Sequence, residues 1–410
     1  MMHQFSRASG SPVRALIFLG LIVTGLAACG GGDSPSGSSV VNGVVEQPAV
    51  MNLYPSQPTN SVPRLVVMAT AVGSVPVSMP LIFDTGSAGV TLYAPSVFPA
   101  NMLTGTGFVF PSGQSSITYN GITVTNQQGT RIYGTTDIRT ENGYLGYAQI
   151  TFGDAQGELT TALMPILFYF SITDAATGDE IEVPSFDQGI FGVASTNGTI
   201  TVAGSVEPTA GFAGCAMGTE GTCFVVSALK YLQYGTSVSA GFMLSPAPIQ
   251  TCDITTAGSC APAPMLTLGL TAALKEGFST VSLPCPPSGY VGPASIAGYS
   301  VCQKTVDDTT ITISGDAAGS IVGGAVFDTG TANMQIATPT GSSFPSSVPI
   351  GSSVMIATSS GFTYSYGSTS GDPFATIINA NFSGPSIVGI GYFTTNYFFI
   401  DFSSGTEGWR

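Results

Sequence analysis

Charge and imidazole are scarce in this chain of 410 residues. Lys, Arg, Asp and Glu together make up 8% of it, with one His and one Trp. Nine Lys+Arg stand against 23 Asp+Glu, a net charge of −14. So few cations cannot lay a basic stripe along a phosphate backbone, so nucleic acid is not an expected partner. The His is His3, inside an N-terminal stretch that reads as a cleavable leader. The rest of the chain has no imidazole, which excludes Ser-His-Asp and Cys-His catalysis and most zinc sites. Neither a metal nor a cofactor is expected, and acid–base work falls to carboxylates, Tyr, Lys or Cys. No apolar run reaches bilayer length. Residues 15–28, ALIFLGLIVTGLAA, suit a signal-peptide core instead.

What the chain does have is 43% hydrophobic residues and 53 Gly, the make-up of a β-rich extracytoplasmic protein and not of a disordered one. Its length allows two or three domains. One phrase occurs twice: LIFDTGSAGVTLYAP at 81–95 and AVFDTGTANMQIATP at 325–339. Each is an apolar strand ending in Phe-Asp-Thr-Gly, then a hydroxyl residue, then an apolar-rich stretch and a Pro. Asp84 and Asp328 thus stand in matching contexts, as if each of two related halves supplied one carboxylate. An Asp behind an apolar strand is costly unless it is hydrogen-bonded or functional. Two carboxylates about 3 Å apart repel by about 5 kcal/mol at an effective dielectric near 20, so such a pair retains a shared proton.

The rest reads mostly as strands and turns. Leu65–Ala69 and Val75–Met79 flank a Gly73-Ser74 turn, and Ile132–Thr136 reads as a turn between two strands, with Glu141-Asn142-Gly143 a weaker turn signal. Pro264–Gly269 reads as a strand, expected to pair with Phe242–Leu244 across a tip holding Cys252 and Cys260. SALKYLQY at 227–234 is one of few helix-like segments.

In order along the chain, these segments resemble the pepsin-like, bilobed aspartic peptidases. Phe83-Asp84-Thr85-Gly86-Ser87 resembles the first catalytic signature, and Phe327-Asp328-Thr329-Gly330-Thr331 its mirror. Tyr133-Gly134-Thr135-Thr136 resembles the flap, with Tyr119 a competing flap Tyr. Ile190-Phe191-Gly192 and Ile387-Val388-Gly389 resemble the apolar-apolar-Gly supports of the Asp loops. The resemblance implies an all-β, bilobed fold with the active-site cleft between two related β-lobes, spanning 61–240 and 241–410. It implies an endopeptidase acting on polypeptides at acidic pH through Asp84 and Asp328. Thr85 and Thr329 would orient the pair, Gly86 and Gly330 would allow the loops to turn, Ser87 and Thr331 would bond the outer oxygens, and Tyr133, Gly134 and Thr135 would cover the cleft. Ile390 stands where the family usually has an Asp, and the Trp usual after the first signature is missing. The alternative is a catalytically silent pepsin-fold surface protein that binds peptides.

Leu26-Ala27-Ala28-Cys29 resembles the lipobox of bacterial lipoproteins. The resemblance implies a signal peptide over 1–28, lipidation of Cys29, a flexible tether over 29–60 beginning GGGDSPSGSS, and an exported, membrane-anchored monomer on the outer membrane or periplasmic face. Six further Cys fall as near neighbours. Local pairing would give Cys215–Cys223, Cys252–Cys260 and Cys285–Cys302 in an oxidising compartment, although six Cys allow about fifteen arrangements.

Overall fold

Short β-branched and aromatic runs punctuated by Gly, Pro and Asn make strands in nearly every described segment of this computed structural model. The structure describes residues 40–41, 43–59, 61–134, 138–186, 188–203, 216–217, 221–316, 318–339, 344–370, 374, 376–380 and 384–410. The fold is all-β and bilobed, and one unit occurs in both lobes. In the N-terminal lobe Val75–Asp84 runs parallel to Gly189–Val193, which in turn runs antiparallel to Ala88–Tyr93. In the C-terminal lobe Gly319–Phe327 runs parallel to Ser386–Val388, which runs antiparallel to Gln335–Thr338. Register is equivalent: Phe83 lies opposite Phe191 and Asp84 opposite Gly192, as Phe327 lies opposite Val388. The Gly in each support is required by close approach. A methyl group at Gly192 would lie 2.7 Å from the Gly89 carbonyl oxygen, and one at Gly389 2.5 Å from that of Asn333.

Six antiparallel strands join the lobes. In spatial order they are Ala49–Gln57, Ala263–Leu270, Ser239–Leu244, Phe398–Asp401, Thr406–Trp409 and Ser279–Ser282. Their apolar side chains merge with those of both lobes. Phe242 meets Phe83 edge-on at 5.7 Å between ring centroids, Phe398 stacks on Phe327 at 6.1 Å, and Trp409 lies 5.1 Å from Phe327. The aromatic residues just before both Asp loops are therefore anchored in one shared core.

Several expectations need correcting. The tether was expected to reach residue 60, but Ala49–Gln57 is a full strand of the joining sheet and also pairs with Arg64–Val72; its alternating buried side chains outweigh the Pro and Asn that suggested a linker. Nor do the lobe boundaries 61–240 and 241–410 cut cleanly, since Ser239–Leu244 straddles them inside that sheet. Glu141-Asn142-Gly143 is no turn but lies within strand Arg139–Ala148. Gly143 marks a bulge, where the register against Met164–Asp174 shifts and a side chain would overlap the Phe168 carbonyl oxygen. The helix-like 227–234 shortens to one turn, Ala228–Tyr231, before the chain turns extended. Phe242–Leu244 does pair with the strand read at Pro264–Gly269, lying opposite Leu266–Leu268.

The Cys252–Cys260 and Cys285–Cys302 disulfides are formed, in keeping with an oxidising, exported setting. Cys223 is also disulfide-bonded, while its expected partner Cys215, like Cys29, lies outside the described residues. Among the described residues no helix is long and apolar enough to cross a membrane.

Glu407 sits in the joining sheet opposite Ile400 and Val281, 3% exposed, with Oε2 lacking a hydrogen-bond partner among the described residues. Burial pushes its carboxyl up from about 4.5 to about 8. The folded state therefore holds a proton that the unfolded chain releases above its ordinary carboxylate range. This costs stability as pH rises from about 4.5 towards 8, and nothing below. Glu407→Gln is expected to raise the unfolding free energy by about 2 kcal/mol at pH 7 and to leave it nearly unchanged at pH 4, as read by denaturation at both pH values.

Candidate active site

Each Asp sits where its strand leaves the sheet, and the loop that follows folds back to solvate it. The Gly86 N–H donates to Asp84 Oδ1 at 2.8 Å and the Ser87 N–H to the same oxygen at 3.1 Å. The Ser87 hydroxyl donates to Oδ2 at 2.5 Å. In the other lobe the Gly330 N–H donates to Asp328 Oδ1 at 2.7 Å and the Thr331 hydroxyl to Oδ2 at 2.7 Å. Ser87 and Thr331 thus each bond Oδ2 of the Asp in their own loop.

The two loops meet face to face. A side chain on Gly86 would overlap the Asp328 carboxyl, and a methyl group on Gly330 would lie 2.6 Å from Cγ of Asp84. Each Gly is the floor on which the opposite lobe's carboxyl rests, so its missing Cβ is what lets the carboxyls approach. Asp84 is 7% exposed, and Asp328 is half-buried. The Asp328 carboxyl is pushed up to about 7, first by loss of water around it, then by the charge of Asp84 and a hydrogen bond with it; Thr331 and Lys304 pull the other way. Two carboxyls that share a hydrogen bond and resist losing a second proton form a coupled pair that titrates as a unit.

Thr85 and Thr329, expected to orient the pair, make their contacts between the loops and not with the carboxyls. Their side chains cross to the opposite lobe. The Thr85 hydroxyl donates to the Phe327 carbonyl at 2.7 Å and accepts from the Thr329 N–H at 3.0 Å. The Thr329 hydroxyl donates to the Phe83 carbonyl at 2.5 Å and accepts from the Thr85 N–H at 3.0 Å. Both residues are buried, Thr329 completely. They fix one lobe's loop to the other and leave direct contact with the carboxyls to Gly, Ser and Thr further along.

Tyr133 ends strand Ile122–Tyr133, with Gly134 next in the chain, and the strand returns as Arg139–Ala148; Thr135 lies outside the described residues. The Tyr133 hydroxyl is buried beside Thr91, Arg131 and Glu141 and feels the charge of Asp84. Burial above all holds its pKa well above the ordinary phenol value. Tyr119, the competing candidate, packs on Phe98 in the lobe's core.

Two features escaped the sequence reading. Arg131 and Glu141 are directly opposed across the hairpin and buried. The Arg131 guanidinium donates to the Ala88 carbonyl and lies 4.7 Å over the Tyr133 ring, while the Thr91 hydroxyl donates to Glu141 at 3.2 Å. The base of the hairpin is thereby tied to the strand leaving the first Asp loop. The second feature is Lys304, whose ammonium donates to the Gly86 carbonyl at 2.5 Å. Its signal was available: with nine Lys+Arg in 410 residues, every cation merits a reason.

The crossed Thr bonds give a direct test. Thr85→Val or Thr329→Val leaves a buried N–H and a buried carbonyl of the opposite loop without partners. Either is expected to lower unfolding free energy by about 2–4 kcal/mol, with Thr→Ser at the same positions losing much less; equilibrium denaturation with urea reads the difference.

This architecture, with a repeated unit in each lobe, a shared six-stranded sheet and facing Asp-Thr-Gly loops, is the pepsin-like fold that the motifs imply. No protein-family model matches the chain, and no curated protein does. Among solved structures it is similar to the aspartic proteinase from Irpex lacteus, at 15% identity over 89% of this chain and 97% of that one, with a TM-score of 0.49. It is also similar to basic 7S globulin from soybean, at 10% identity over 89% and 96%, with a TM-score of 0.46.

Proposed function

We propose that this protein is an aspartic endopeptidase that hydrolyses polypeptides at acidic pH, with Asp84 and Asp328 as its catalytic pair. The observation that carries this reading is the reciprocal contact of the two carboxyls across Gly86 and Gly330; burial and mutual charge make such a pair hold a proton. One ionised and one protonated carboxyl suit two tasks at once. The ionised member takes a proton from a water bound between them as its oxygen attacks the scissile carbonyl carbon. The protonated member donates to the carbonyl oxygen, leaving a tetrahedral diol. Collapse of the diol passes a proton to the departing nitrogen and restores the pair to its starting charge. Tyr133 and Gly134, at the end of their hairpin strand, would close over the bound chain and exclude water. Burial of the Tyr133 hydroxyl against Arg131 and Thr91 supports its serving as a fixed wall, since so raised a phenol stays protonated throughout the working range.

The chain is exported and, in the same reading, tethered by a lipid on Cys29 to a bacterial membrane. The support for this is the Leu26-Ala27-Ala28-Cys29 pattern. Cys29→Ser is expected to move the protein from the membrane to the soluble fraction on cell fractionation; retained membrane association would refute the anchor.

For catalysis, the wild type is expected to cleave an unfolded protein between pH 3 and 6, with activity falling as pH rises through about 7 and the pair loses its last proton. Asp84→Asn and Asp328→Asn should each lower kcat by at least about a thousandfold with the fold intact by circular dichroism. No cleavage by the wild type across that range, with retained peptide binding, would instead favour the silent binding protein.

A further inference from the structure

Lys304 is one of the chain's rare cations, and the fold delivers it with some care. The segment before it is pinned at three levels. Cys302 is joined to Cys285, and the Gln303 N–H donates to the Pro284 carbonyl at 2.9 Å. The Cys302 N–H donates to the Ser195 carbonyl at 3.3 Å, and the Ser195 hydroxyl returns a bond to the Gln303 carbonyl at 2.9 Å. Buried Lys230 clamps the same place, donating to Ser195 O at 3.1 Å and Ser300 O at 2.9 Å. Ser195 lies three residues past Gly192, which backs Asp84. The segment thus crosses from the C-terminal part of the chain onto the support of the first Asp loop and ends with the Lys304 ammonium on the Gly86 carbonyl at 2.5 Å.

That carbonyl belongs to the peptide unit whose N–H is that of Ser87. The same N–H donates to Asp84 Oδ1 at 3.1 Å. A cation on the oxygen of an amide makes its N–H a stronger donor, because hydrogen bonds in series polarise one another. The contacts therefore form a relay: ammonium, Gly86 carbonyl, Ser87 N–H, Asp84 carboxylate. Among the described residues the second loop has no matching relay. Asp84 receives three donors, Gly86 N–H, Ser87 N–H and Ser87 Oγ, while Asp328 receives the Gly330 N–H and the Thr331 hydroxyl. The fold is symmetric here and the hydrogen bonding is not.

We propose that Lys304 is a positioning residue of the pair: it holds the Gly86–Ser87 peptide whose N–H binds Asp84, and its charge favours the ionised state of the two carboxyls taken together. This rests on the peptidase reading above. The charged and titratable groups around the relay are Asp84, Asp328 and Tyr133 at the pair, Arg131 and Glu141 behind Tyr133, and Asp307, which is held by the Gln303 side-chain amide at 3.0 Å. Independently of the relay, the Lys304 charge also draws the Asp328 carboxyl downward. Both effects act in one direction, so losing the cation makes the pair hold its protons to higher pH.

The test is the pH–activity profile of Lys304→Met beside Lys304→Arg and wild type. Both limbs of the Lys304→Met profile should move to higher pH, by at least about half a unit, with Lys304→Arg remaining near wild type. Superposable wild-type and Lys304→Met profiles, or equal displacement in both variants, would overturn the proposal. A second readout needs no turnover. The loss of thermal midpoint caused by Lys304→Met should grow as pH rises from 3 to 7 and become pH-independent in the Asp84→Asn/Asp328→Asn background. A pH-independent loss in the wild-type background would also overturn it. If the wild type cleaves nothing, the peptidase reading fails, while the stability readout still decides whether Lys304 acts on the pair's charge.

Discussion

Two carboxyl groups can share a cleft only if the chain holds them together against their own repulsion, about 5 kcal/mol at contact in a surface-like dielectric. Here the holding is done by two threonines that never touch the carboxyls. Thr85 and Thr329 each spend their hydroxyl on the opposite lobe's carbonyl and N–H. The result is a closed, buried ring of four hydrogen bonds across the pseudo-twofold. Because both members are buried, breaking one bond strands a polar group without water. The ring turns two separate sheets into one rigid seat, on which Gly86 and Gly330 supply the missing side-chain volume.

The remainder of the architecture serves that seat. The six-stranded joining sheet places Phe83 and Phe327 in one aromatic core through Phe242, Phe398 and Trp409. The strands feeding both loops are therefore not free to slide. The parallel supports ending at Gly192 and Gly389 press from behind. Glu407 in the same sheet is a cost that this core carries, a carboxyl kept neutral among apolar neighbours.

Within this near-symmetry the electrostatics are uneven. Asp84 has an additional backbone donor, and Lys304 polarises that donor's peptide. Asp328 sits with fewer donors, and burial and the charge of Asp84 push its carboxyl up. The proton that two such carboxyls share belongs to the pair, and the uneven donors are what distinguish its two sides.

How much of this was legible in the chain differs residue by residue. The matching contexts of Asp84 and Asp328 were readable from the repeated phrase, while the hydroxyl contacts of Ser87 and Thr331 came from the family resemblance. Two of the disulfides, the all-β class and the Phe242–Leu268 pairing were readable as well: near neighbours and period-two patterns leave few alternatives. What sequence could not decide lies in contacts between residues far apart. The Thr hydroxyls reach across 242–246 positions, and Lys304 meets Gly86 across 218. Strand Ala49–Gln57 looked like a linker until its partner at 263–270 was known, and Gly143 looked like a turn until Tyr169 stood opposite. The sequence by itself determined that two Asp residues stand in matching contexts, each at the end of an apolar strand and followed by a hydroxyl residue. Only the tertiary structure decided that the two carboxyls face one another and that a cation reaches the first loop, because both depend on contacts with distant segments that no local pattern encodes.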